Sequence, residues 1–201
     1  EALYAYHGTL ISGPVHRPRR NLAAQPTAQE FAIPAAGWKL SVRSDASPLL
    51  VGAAKDLQDY LSVSMNTDVT WAPAESLADW QQLRGVIVAG TRDQLPGCGS
   101  ALKGPKDYQI VATPERIVVC GYDERAVMFG LYNLEARMNL REAPILPRDL
   151  ATVRHSLYRS RIVQSWLGWD EFPDVLLRHM AHDGIDAIFA LRLRNSWLGR
   201  L

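Results

Sequence analysis

The chain has 201 residues, 47% apolar and 21% charged, an ordinary globular balance that suffices for one large domain or one domain plus part of another. A formal net charge of +1 leaves no global field to draw it to nucleic acid or an anionic membrane, and no apolar run approaches the ~20 residues that span a bilayer. Two cysteines, Cys98 and Cys120, cannot make a disulfide framework: one bridge between them is open, and two separate thiols are the expectation because Cys120 reads as a buried strand residue.

Residues 1–35 show no sustained period and read as an irregular arm. Its basic run, His16-Arg17-Pro18-Arg19-Arg20, reads either as an anion or partner contact or as a solvated arm lying over the domain. There is no starting Met and no signal-like segment at Glu1, so a processed or excised piece is expected; its localisation stays open, with a secreted or periplasmic protein whose signal has been removed as one reading.

Residues 36–140 predict a compact α/β domain. Trp38 to Arg43 alternates apolar and polar, as a half-buried strand does. Ser47-Pro48 is an N-cap followed by proline at the first helical position, and Leu50, Ala54, Leu57 and Leu61 follow at helical spacing up to Asn66. Val69-Thr70-Trp71 is a short strand, Ser76 to Leu83 a short helix or loop, and Gly85 to Gly90 a central apolar strand. Thr91 to Gly104 is a loop rich in Gly, Pro and charge. Within it, Gly97-Cys98-Gly99 is too short and wrongly placed to cradle a phosphate, which needs a helix directly behind it. Tyr108 to Val111 and Ile117 to Cys120 predict strands joined at Pro114-Glu115. Asp123 caps a helix striped by Val127, Leu131, Leu134 and Met138, with Gly130 placed to let another backbone come close. The whole predicts an α+β domain with a mixed sheet and helices mainly on one face.

Residues 141–154 carry two prolines and alternating charges and read as a linker. In residues 155–201, Tyr158 to Val163 reads as a strand, with Arg159 and Arg161 on one side of it by alternation. A helix opening at Asp170 or Pro173 carries the stripe Val175, Leu176, His179 and Met180, and Gly184 ends it before the strand Ile185 to Leu191. This is a βαβ unit with parallel strands, and roughly 45 residues cannot close a barrel or cover both faces of a parallel sheet. Its apolar flank therefore needs more chain or another subunit.

The string Gly121-Tyr122-Asp123 with Ala126 to Leu134 resembles "G-x-D-x-x-G-x-x-Y-G-x-x-x-L", the end of the domain before the catalytic barrel in family 20 hexosaminidases and family 67 α-glucuronidases. Ala126 stands at the family's first inner Gly and Phe129 at its Tyr. Leu157-Tyr158-Arg159-Ser160 is similar to the family 20 barrel opening "W/Y-R-S/G", and Leu177 to Ile188 resembles "M-A-x-x-G-x-N-A". Gln164 and Ser165-Trp166 stand where the family has an Asp and an "R-H" pair. The resemblance implies an accessory α/β domain followed by the first β-α-β of a TIM barrel. It implies a glycoside hydrolase parent acting on carbohydrate, with Arg159 as a substrate contact and Arg161 as a second candidate. A planar five-donor guanidinium suits vicinal hydroxyls and carboxylates, and both arginines also read as salt bridges at a barrel mouth.

Trp166, Trp169 and Trp197 fall where barrel loops form the substrate side; they read as sugar-stacking faces, Trp166 foremost, or as packing at a domain seam. Glycosidases need two carboxylates about 5–9.5 Å apart, and in the family these lie several barrel strands later. Asp170-Glu171 and Asp123-Glu124 read as helix caps, His179 as a half-buried packing residue and His182-Asp183 as a surface pair. No catalytic residue is expected within these residues, and neither cofactor nor metal is expected from the spacing of the five histidines and two cysteines. The reading from another class is a non-catalytic carbohydrate- or protein-binding module.

Overall fold

The computed structural model describes residues 13–165 and 173–190. They belong to two compact units, one of His16–Leu157 and the other including the residues from Tyr158 onward.

The larger unit is built on a six-stranded mixed sheet. Its elements in chain order are β1 (Glu30–Ala32), β2 (Trp38–Ser41), α1 (Pro48–Met65), β3 (Val69–Trp71), a 3-10 turn (Trp80–Gln82), β4 (Val86–Thr91), β5 (Tyr108–Ala112), β6 (Arg116–Gly121), α2 (Glu124–Arg141), β7 (Ile145–Pro147) and β8 (Leu150–Arg154). The sheet order is β3-β2-β4-β6-β5-β8. β3, β2, β4 and β6 run parallel, while β5 runs antiparallel to both β6 and β8.

Local chemistry accounts for both helices. Ser47 Oγ accepts from the Leu50 amide at N-cap, Pro48 supplies a preset φ, and Asn66 closes α1 at φ 48°. Asp123 caps α2 through a 2.7 Å bond from the Ala126 amide. Alternation in the strands divides the core in two. Ile87, Ala89, Ile117, Val119, Ile110 and Ala112 face α1 and α2 in the larger cluster, where Leu50, Leu57, Leu61, Leu131 and Leu134 are fully buried. Each such side chain contributes roughly 1.5–3 kcal/mol. Val86, Val88, Val118 and Cys120 face the other way, under Leu77, Trp80, Leu95, Cys98 and Leu102. Thus both helices lie on one face, as expected, and the other is covered by irregular chain. Cover on both faces explains why β4 and β6 read as continuous apolar runs. Gly130 is required where α2 crosses β6: a Cβ there would run into Val119 Cγ1 and lie 3.3 Å from Tyr108 Cδ2.

Two readings of the sequence are corrected here. The arm through residue 35 is not wholly irregular: β1 pairs antiparallel with β7, and Phe31 and Ile33 are buried. The run from Arg141 read as a linker carries β7 and β8, the latter an edge strand of the main sheet. Short edge strands bury one face only, so their pattern is weak. The basic run lies over the domain: the Arg20 guanidinium donates to the Met65 and Asn66 carbonyls at 2.9 and 3.0 Å. Those carbonyls sit at the C-terminus of α1, where a cation is favoured.

In the second unit, β9 (Ile162–Ser165) and β10 (Ala187–Ala190) pair in parallel, and α3 (Asp174–His182) connects them. The predicted βαβ unit is present, but its first strand starts at Ile162 rather than Tyr158. A barrel is not shown.

Candidate functional site

Arg161 immediately precedes β9. Its amide donates to Asp186 Oδ1 at 3.1 Å, its carbonyl accepts from the Asp186 and Ala187 amides, and its guanidinium donates to the Gly184 carbonyl at 3.2 Å. Gly184 turns the chain out of α3 at φ +80°, and a Cβ on it would meet that guanidinium. Arg161 therefore ties the start of β9 to the turn before β10. Arg159 lies exposed two residues upstream. Because the strand begins at Ile162, strand alternation does not place the two arginines on one side.

Both arginines sit where the parallel strands begin, whereas substrates of parallel α/β folds meet the ends where strands finish. Here those ends are Ser165 and Ala190. Trp166 follows Ser165 directly, and it, Trp169, Asp170, Glu171 and Trp197 lie outside the described residues. On this unit Leu177, Met180, Ile185, Asp186, Ala187 and Ile188 line a groove of about 330 Å³, apolar but for the aspartate.

Two polar clusters in the larger unit were not legible from spacing. His16, Asp56 and Glu135 come from the arm, α1 and α2, and their ligand-type atoms all lie within 4.8 Å of one another. His16 Nε2 is 3.2 Å from Asp56 Oδ1, and Glu135 is buried. One imidazole and two carboxylates are a donor set that suits a divalent cation or, with His16 protonated, an internal ion pair. Linear ligand spacing gave no metal site; only the tertiary fold gathers these three.

The second cluster centres on buried Asp107. Its carboxylate accepts from the Lys103, Gly104 and Ser156 amides at 2.9, 3.3 and 2.9 Å and from His155 Nδ1 at 2.7 Å. Burial by itself raises its pKa, but the His155, Ser156 and Lys103 donors outweigh that and hold it below the ordinary carboxylate value. Four donors on one carboxylate clamp the residues after β8 to the turn before β5.

No known protein family profile matches the chain, and no curated protein sequence matches it. Solved structures do. The chain is similar to the structure of CpGH84D, with TM-score 0.59 and 12% identity over 86% of this chain and 31% of that one. It is similar to CpGH84B, with TM-score 0.56 and 12% identity over 87% of this chain and 30% of that one. It is also similar to a GH138 enzyme targeting pectin rhamnogalacturonan II, with TM-score 0.54 and 12% identity over 78% of this chain and 19% of that one. These are glycoside hydrolases, and this chain has a glycoside hydrolase-like fold. It spans less than a third of the length of each.

Proposed function

We propose that the chain is part of a carbohydrate-active enzyme that hydrolyses O-glycosidic bonds, with the larger unit as its non-catalytic accessory domain and the βαβ unit as the opening of its catalytic barrel. One observation carries this reading. The similarity to CpGH84D and CpGH84B covers 86% and 87% of the chain, more than His16–Leu157 alone can supply, so the matched span takes in part of the βαβ unit. That breadth of coverage supports reading an accessory fold and a parallel unit as parts of one enzyme, in the order that the family 20 and family 67 resemblance implies.

On this reading the substrate side lies where β9 and β10 finish, and Trp166, next in the chain after β9, is its candidate sugar-stacking residue. Arg159 and Arg161, at the strand starts, would reach substrate only through further chain, and Arg161 acts chiefly by positioning β10. The acid and base would come from later barrel strands, about 5–9.5 Å apart. A family 20 pattern would give substrate-assisted chemistry on N-acetylhexosamines, and a family 67 pattern would act on glucuronosyl groups. The exposed flank of the βαβ unit, with Ile162 and Phe189 more than half accessible, is where the remaining chain or another subunit would close it.

The test is hydrolysis of a panel of nitrophenyl glycosides by the full-length protein and by residues 1–201 alone. Release of nitrophenol by the former only is expected. A full-length protein that hydrolyses none of the panel but binds a sugar in calorimetry would replace this reading with the binding-module one.

A further inference from the structure

Gly97-Cys98-Gly99 has no part in the reading above, yet the fold gives it a definite geometry. Gly97 and Gly99 adopt φ +80° and +77°, so the chain turns back on itself on both sides of Cys98. Cys98 and Cys120 then sit in one apolar cluster on the helix-free face of the sheet, with Cys120 Sγ packed against Gly99, the residue after Cys98. Gln109 is the cross-strand partner of Cys120. Its Oε1 accepts from the Gly99 amide at 3.1 Å and faces Cys98 Sγ at 3.8 Å, which fixes the loop over the strand. A Cβ on Gly99 would stand 2.9 Å from both Cys120 Sγ and Arg92 Cβ, so only glycine permits this approach. Both cysteines are free thiols.

We propose that Cys98 and Cys120 are a preformed thiol pair, which a small-molecule disulfide such as oxidised glutathione converts into a reversible cross-link between the 92–107 loop and β6. The chemistry balances in two exchanges. The Cys98 thiolate attacks one sulfur of oxidised glutathione, forming a mixed disulfide and releasing one glutathione thiolate. Cys120 then gives up its proton, attacks the Cys98 sulfur and expels the second glutathione. Two protein thiols are oxidised and one glutathione disulfide is reduced to two thiols. Cys98 is the attacking group because it lies at the edge of the cluster, 9% accessible against 0% for Cys120. The neighbouring Cys120 thiol also holds the Cys98 pKa down against burial, whereas Cys98 and burial push Cys120 up.

The folded 201-residue chain is incubated with oxidised glutathione, quenched by alkylation and weighed. The expected product has lost two hydrogen masses, carries no alkyl group, and melts roughly 5 °C higher until dithiothreitol reverses the shift. Cys120→Ala should instead accumulate a glutathione adduct on Cys98, and Cys98→Ala should react at least about tenfold more slowly. Three results would overturn the proposal: two alkylated thiols in the folded chain while the urea-unfolded chain oxidises, a stable glutathione adduct on the wild type, or equal reactivity of the two variants. A cross-link that leaves the melting midpoint unmoved would overturn the loop-fixing role.

Discussion

The two units are made from the same βα elements and differ in how they are covered. In His16–Leu157 the two longest strands, β4 and β6, have a roof on both sides: α1 and α2 over one face, and the 3-10 turn with the loop 92–107 over the other. In the second unit α3 has no buried residue, and Ile162 and Phe189 are 59% and 52% accessible. An amphipathic pattern is enough to form a strand or a helix. A stable core needs a second layer, because two parallel strands and one helix leave most of their apolar surface in water.

The contrast breaks most decisively at the core leucines. Leu57→Ala, at a fully buried site, should cost about 2–5 kcal/mol in urea unfolding. Leu177→Ala, half-buried on α3, should cost less than about 1 kcal/mol. Equal losses would mean that the second unit is as closed as the first. Gly121→Ala follows, since its Cβ would lie 2.5 Å from the Val127 amide nitrogen and 2.6 Å from the Asp123 carbonyl oxygen. Backbone atoms cannot turn aside, so a loss of about 1–3 kcal/mol is expected in the same assay.

The Asp107 clamp sharpens the picture through pH. Asp107→Asn removes a buried ionic acceptor and should cost about 1–3 kcal/mol at neutral pH. The folded carboxylate has a depressed pKa, so its contribution is complete above the unfolded value of about 3.9 and disappears as pH falls through the lower folded value. The gap between wild type and Asp107→Asn should therefore hold down to about pH 5 and narrow below about pH 4. A gap that widens in acid would contradict the clamp. Smallest are the caps. Asp123→Ala should cost about 1 kcal/mol, and Ser47→Ala less, because its cap bond is 3.5 Å against 2.7 Å. Amide exchange in the first turns of α2 and α1 would rank them.

Most elements of the larger unit were legible because their signals are local. Ser47-Pro48, Asn66, Asp123 and the stripes of α1 and α2 carry their own start, stop and buried face. Gly130 was read as the place where another backbone comes close, whereas in the fold it is the Val119 and Tyr108 side chains that press against it. The misread segments, β1, β7 and β8, are short and lie at edges, where partners distant in sequence supply half of the stabilisation. The start of β9 moved for the same reason: its register is set by β10 and by Arg161's bonds to Asp186, not by alternation.

The sequence by itself determined the central strands and the two helices of the larger unit, where those helices begin, and that the last part is a parallel βαβ unit, because caps, glycines and periodicity act within a few residues. Tertiary structure alone decided which faces are covered, which thiols and carboxylates meet, and that Arg159 and Arg161 lie where the strands start. Those facts depend on contacts between residues tens of positions apart, which no local pattern encodes.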